Sequence, residues 1–356
     1  MTRFTLLSAL LVPMLLAANS SVAAEFGDGR EAYERGDYVT ALEHWRPLAE
    51  AGDVAAQNGL GLLYSLGSGV AKDHALALAW YRRAALQGSS DGQYNIGLAY
   101  ENGLGVERDY AVAATWYRRA AEQEHAQAQV SLGRFSEEGL GAPQDLTAAA
   151  SWYRKAADRN NAEAQNRLGK FYEQGLGGIL RDPVEMAELY RRAAKQRHVQ
   201  AQYNLARAYR DGLGVSPDPI LALEWFHAAA EQGWAPAQFA LGELYETTVR
   251  TMHGRDGSGT RHLIIAAEWY TKAAEQGDGG AQLKLAQLLL DGRALAKDAV
   301  QAYAWLILAA EHAGSTEVGK QAAMQRDALA KRLSDAETAD AKRRAIEWNR
   351  RPVKDQ

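Results

Sequence analysis

Eight histidines, His44, His74, His125, His198, His227, His253, His262 and His312, are the side chains here best suited to ligate a metal or shuttle a proton. None stands in a His-Glu-x-x-His segment or another metal-binding spacing, so no metal site is expected. No Gly-x-Ser-x-Gly elbow is present to carry a serine nucleophile. The absence of cysteine removes thiolate ligands, a cysteine nucleophile, a disulfide framework and a lipoprotein attachment point together. Neighbouring carboxylates such as Glu137-Glu138 lie beside turns and are expected to face water rather than to act as a hydrolytic pair. The reading is therefore a non-enzyme with no catalytic residues and no cofactor.

Two further motifs look chemical and are better explained structurally. Gly-x-Gly recurs at Gly67/Gly69, Gly103/Gly105, Gly139/Gly141, Gly175/Gly177 and Gly212/Gly214. No strand precedes it and no third glycine follows at dinucleotide-binding spacing, so it reads as a turn. Asp73, Asp109, Asp145, Asp182, Asp218 and Asp298 each stand seven residues before an aromatic position. They are placed to cap helices, with Pro183 and Pro219 at the first helical position after two of them.

These motifs are held on a repeat. The glutamines Gln57, Gln93, Gln129, Gln165, Gln202, Gln238 and Gln282 follow one another at 36 or 37 residues, with a single interval of 44. A fixed period of this length with two helical patterns per unit predicts an all-α solenoid of helix-turn-helix repeats. In the first helix, A, residues such as Gln57, Leu60, Gly61 and Tyr64 form one buried stripe. The glycine of that stripe implies close approach by a neighbouring helix. The second helix, B, carries Trp80-Tyr81, Trp116-Tyr117, Trp152-Tyr153, Leu189-Tyr190, Trp225-Phe226 and Trp269-Tyr270 before alanine pairs. One bulky ring facing small partners is expected, with the tryptophans in the core. Helix B ends in Gly52, Gly88, Gly233 or Gly277, but in Glu124, Asn160 or Arg197 elsewhere, where either strain or a different turn is implied.

Residues 1–24 combine Arg3, an apolar run from Phe4 to Ala18 and small residues to Ala24, the pattern of a cleaved export signal. That predicts a periplasmic protein, cut after Ala24, and no later segment is apolar enough to span a membrane. A net charge of −4, more negative still without Arg3, argues against nucleic acid as a partner. The expected organisation is an incomplete unit at 25–53, seven repeats at 54–313, and capping helices at 314–356. The extra residues near 247–262, with Arg250, His253, Arg255, Asp256, Arg261 and His262, are expected to form a flexible insertion.

The pattern AQ-x-x-LG-x-x-Y, G-x-G, D, A-x-x-WY-R-x-AA-x-x-G resembles the Sel-one-like repeat, a relative of the tetratricopeptide repeat, over about 40–313. The resemblance implies a right-handed superhelix with helices A on the concave face and a role in holding proteins together, in bacterial envelopes in exopolysaccharide export, signalling control or host interaction. Ser136, Leu189 and Leu289 depart from its aromatic positions. On the concave face so implied, Arg134, Lys170 and Arg207 occupy one helical position in three adjacent units, and Arg167, Tyr203, Asn204 and Arg210 lie close by. They suggest a basic groove that docks an acidic segment of a protein or peptide partner. Two alternatives stay open. One is a cell-wall-active enzyme or a β-lactam- or peptidoglycan-binding protein, proposed for a cysteine-rich branch of the family. The other is a polysaccharide binder using Tyr94, Tyr203 and Phe239.

Overall fold

The computed structural model describes residues 26–251 and 258–350, so the export signal expected at 1–24 lies outside the described residues. All secondary structure among the described residues is helical. The chain forms two compact units that meet in sequence at Arg181 and Asp182. The first holds α1 (26–34), α2 (Tyr38–Glu50), α3 (Val54–Leu66), α4 (His74–Leu86), α5 (Ser90–Asn102), α6 (Tyr110–Glu122), α7 (Ala126–Glu138), α8 (Leu146–Asp158) and α9 (Ala162–Gln174). The second holds α10 (Pro183–Lys195), α11 (Val199–Asp211), α12 (Pro219–Glu231), α13 (Ala235–Thr251), α14 (Ser258–Glu275), α15 (Gly279–Asp291), α16 (Ala299–Ala313), α17 (Glu317–Ala330) and α18 (Asp335–Asn349). Odd-numbered helices from α3 to α15 are helices A, and even-numbered helices from α4 to α16 are helices B. Consecutive helices pack on one another from α2 to α9 in the first unit and from α10 to α17 in the second, which is the solenoid the period predicts.

Helix starts follow the expected chemistry. Asp73, Asp109, Asp145, Asp182, Asp218 and Asp298 each accept an amide of the first turn of helix B. Helices A are capped as well, by Asp53, Ser89, Asn161 and Asp278. Two of the histidines serve the same purpose. The Nδ1 atoms of His125 and His198 accept from the amides of Ala128 and Ala201 at 3.1 and 3.2 Å.

The core differs from expectation in one respect. Trp80 and Trp269 are buried as expected, but the second ring is the more fully enclosed of the pair from Trp116 onward: Tyr117, Tyr153, Tyr190, Phe226 and Tyr270 are at most 1% exposed. Trp116, Trp152 and Trp225 are only half-buried. The cause lies in the helix-A glycine, which brings its backbone against that second ring. A Cβ on Gly133 would sit 2.4 Å from the Tyr153 ring, and Gly61, Gly97 and Gly242 meet Tyr81, Tyr117 and Tyr270 in the same way. Two of the half-buried tryptophans are roofed by a cation one turn further on, Trp116 by Arg119 at 4.6 Å and Trp152 by Lys155 at 4.2 Å.

The glutamines that mark the period are buried, and all but Gln93 satisfy a helix end. Their Nε2 groups donate to the carbonyl eight residues earlier, near the end of the preceding helix B: Gln57 to Ala49, Gln129 to Ala121, Gln238 to Ala230 and Gln282 to Ala274, all at 3.1 Å. Their Oε1 atoms accept from a glutamine of the next helix B, as in Gln87 to Gln57 at 2.9 Å and Gln123 to Gln93 at 2.8 Å. At Gln129 the rung is broken. Arg159 stands where the donor is due and pairs with Glu124 instead, leaving Gln129 Oε1 buried without a partner.

The corners that lack glycine keep the same turn and carry strain. Glu124, Asn160 and Arg197 have φ of 67°, 61° and 64°, in the left-handed region that Gly52, Gly88, Gly233 and Gly277 occupy elsewhere. Of the insertion, 252–257 with Gly254 and Gly257 lie outside the described residues, and its described flanks are helical. These flanks lengthen α13 to 17 residues and α14 to 18, against 13 in most of the other helices. No helix breaker stands between Thr247 and Thr251, so the turns of α13 continue. Tyr245 and His262 stack across the two extensions at 6.0 Å. His253, Arg255 and Asp256 lie outside the described residues. At the far end α17 and α18 pack on α16, with Trp348 edge-on to Trp305 at 4.5 Å and Arg344 reaching Asp298 at 3.6 Å.

Candidate functional site

The helix-A face of the first unit carries a repeated three-group node. Glu101 near the end of α5 receives the phenol of Tyr117 from α6 and the guanidinium of Arg134 from α7. One repeat on, Glu137 receives Tyr153 at 2.6 Å and Arg167 at 3.2 Å. Each node joins helix A, helix B and the helix A that follows. Arg134 also reaches Glu138 at 3.4 Å, and Arg167 reaches Glu163 at 2.6 Å. Partial burial works against the Arg167 charge, but hydrogen bonding to Glu163, together with Tyr153 and Glu137, keeps it above even the usual arginine range. Lys170, by contrast, makes no ion pair among the described residues.

In the second unit the same node joins Tyr270, Glu246 and Lys284, at 2.8 and 2.9 Å. Tyr203 packs edge-on to Phe226 at 5.6 Å, and Asn204 is buried. Arg210 pairs with Asp211 at 2.7 Å and lies 5.8 Å from the centre of the Phe226 ring. Beyond these, an open cleft of about 360 Å³ is lined by Glu246, Lys284, Gln287, Leu288, Leu290, Asp291, Arg293 and Gln325, from α13, α15, the turn after it, and α17. Among the expected docking residues, Arg134, Arg167 and Arg210 thus each have a carboxylate partner. The basic character read from their spacing is largely neutralised by acids that stand in neighbouring turns and repeats. No group of three His, Cys, Asp or Glu among the described residues is placed to hold a metal ion.

The model of the Sel1 repeat matches eight successive stretches, at 17–53, 54–89, 90–125, 126–161, 162–198, 199–234, 235–278 and 280–313. The chain belongs to the Sel1 repeat family. Among solved structures it is similar to a protective antigen present in uropathogenic Escherichia coli strains displaying an SLR fold. The identity is 27% and the TM-score 0.59, over 93% of this chain and 85% of that one. It is also similar to a Sel1 repeat protein from Oxalobacter formigenes, at 33% identity and TM-score 0.58, over 68% of this chain and 96% of that one. Comparison with curated proteins found no match.

The acceptors Glu101, Glu137 and Glu246 were missed from the sequence, although these Sel1 repeats hold a signal for them. The buried phenols Tyr117 and Tyr153 stand 16 residues after their carboxylates. Where the ring lacks a hydroxyl the carboxylate disappears too: Phe226 is preceded at that distance by Arg210, and Leu306 by Leu290. A buried donor and its acceptor are kept or lost together.

Proposed function

We propose that this Sel1 repeat protein is a non-enzymatic scaffold of the bacterial periplasm that holds a protein or peptide partner on its helix-A face. Sel1 repeats are protein-interaction modules, and nothing in the site geometry assembles a nucleophile, a base and an oxyanion hole. Export rests on the signal pattern at 1–24, and similarity to a protective antigen of uropathogenic Escherichia coli supports a place outside the cytoplasm.

The observation that carries the reading is the cleft of the second unit. Gln287 and Gln325 line it, both half-buried, and neither carboxamide meets a hydrogen-bond partner among the described residues. A carboxamide offers one acceptor and two donors, the complement of a peptide group. Leu288 and Leu290 supply an apolar wall, while the pairs Lys284–Glu246 and Arg293–Asp291 hold the charged rim in place. That lining suits a short extended peptide segment. The helix-A face of the first unit offers Arg134, Arg167 and Lys170 by itself, and that of the second unit offers Tyr203, Asn204, Arg207 and Arg210 beside the cleft. Because most of its arginines are already paired, recognition there proceeds through oriented hydrogen bonds more than through net charge.

A photo-crosslinking side chain at Gln287, activated in intact cells, tests this. A discrete adduct that is lost with Gln325→Ala, in a mature protein beginning at Glu25 and released by osmotic shock, is expected. No adduct, or one indifferent to Gln325, overturns the peptide site. Retention of the leader in a cytoplasmic protein overturns the location.

A further inference from the structure

The opposite surface of the first unit, formed by helices B, carries its charge differently. Arginines recur at 36-residue intervals: Arg46 in α2, Arg82 in α4, Arg118 in α6 and Arg154 in α8. Three of them donate to a phenol of the following helix A, Arg46 to Tyr64 at 3.2 Å, Arg82 to Tyr100 at 3.1 Å and Arg154 to Tyr172 at 3.2 Å. Ser136 stands where the fourth phenol would be, and Arg118 is exposed with no partner among the described residues. A neutral hydroxyl orients a guanidinium without cancelling its charge.

Beside this column runs a second one, Arg83, Arg119 and Lys155, laid over Trp80, Trp116 and Trp152 at 4.4, 4.6 and 4.2 Å. Stacking on a ring likewise leaves the charge intact. None of these seven cations forms an ion pair among the described residues, and α4 carries no carboxylate at all. The acids of α6 and α8 are Glu122 and Asp158, at their C-terminal ends. A hollow of about 500 Å³, lined by Tyr100, Val106, Glu107, Arg108 and Asp109, opens beside the Arg82 rung. The helix-A face neutralises Arg134 and Arg167, while the helix-B face of the same unit holds its cations unpaired, all but Arg118 oriented by a phenol or an indole.

The geometry points to this helix-B face as a docking surface for an extended acidic segment of a protein partner, whose carboxylates meet Arg82, Arg118 and Arg154 in succession. Fixed guanidinium forks suit carboxylates two oxygens at a time. Glu122 and Asp158 interrupt the grid, which disfavours a continuous anionic membrane more than a flexible chain that can place its charges between them. The surface is separate from the helix-A cleft, so either reading can fail without the other.

Fluorescence anisotropy of a labelled oligoglutamate with the full-length protein tests the assignment. Binding at low salt that weakens as ionic strength passes about 0.15 M is expected. The triple variant Arg82→Gln, Arg118→Gln, Arg154→Gln weakens it by about tenfold or more with unchanged helical circular dichroism. Lys331→Gln, at the end of α17 in the second unit, leaves it unchanged. Absence of oligoglutamate binding at low salt, equal binding by the triple variant, or retention on phosphatidylglycerol vesicles in place of the peptide would each overturn it.

Discussion

The hydroxyl of Tyr153 donates to Oε2 of Glu137 at 2.6 Å, between two residues that sit on successive helices and point into the same repeat junction. Arg167 of the next helix A closes the node at 3.2 Å. Removing the hydroxyl alone, in Tyr153→Phe, leaves a half-buried carboxylate short of one donor and is expected to cost about 1–2 kcal/mol in urea unfolding. Gly133→Ala probes the same junction from the other side. Its Cβ would meet the ring at 2.4 Å, so a loss of about 1–3 kcal/mol is expected, and wild-type stability would disprove the close contact.

The strained corner at Arg197 offers a change in the opposite direction. With φ at 64°, Arg197→Gly should raise stability by about 1 kcal/mol, whereas Arg197→Ala should not. Thermal unfolding of the three proteins under one condition distinguishes them.

Arg159→Gln restores the missing amide donor opposite Gln129. The exposed pair it gives up with Glu124 contributes little, so a net gain of about 1 kcal/mol is expected. Protection of the Gln129 side-chain amide from hydrogen exchange should rise with it.

Alkaline pH should unfold the array through its tyrosines. Burial pushes the Tyr81 phenol up to about 12 and lifts those of Tyr117 and Tyr153 further, with Glu101 and Glu137 adding to the effect. A phenol whose folded value lies above its unfolded value near 10 contributes its full stability below pH 10. That contribution is lost as pH climbs from there through the folded value. Phenolate absorbance at these rings should therefore appear together with loss of helicity above pH 10. Gradual ionisation with helicity intact would contradict their enclosure.

Period, helix pairing, aspartate caps and the closeness implied by the helix-A glycines were legible because each is a local property of spacing or backbone freedom. Which ring of Trp152-Tyr153 faces inward was not, since adjacent residues on a helix lie only about 100° apart and both border the apolar stripe. The glycine that decides it belongs to another helix. Charge at Arg134 and Arg167 was misjudged for a related reason. Their acceptors Glu101 and Glu137 stand 33 and 30 residues away, beyond any i,i+4 rule, and become neighbours only when repeats stack. Near Thr247 the glycines downstream drew the eye from the helix formers before them, and the added turns of α13 and α14 were not foreseen.

The buried glutamines have a bearing on how such a chain can change length. A glutamine such as Gln57 spans a junction with both ends of its carboxamide, donating to the carbonyl of Ala49 behind and offering its oxygen to Gln87 ahead. Insertion or loss of a whole 36-residue cassette, such as 90–125, returns every amide to an equivalent neighbour. The eight residues between a glutamine and the carbonyl behind it stay constant, whereas added length falls in the hairpin from helix A to helix B, where Gln276 still reaches Gln238 across 38 residues instead of 30, so this protein can change length by whole repeats or within that hairpin.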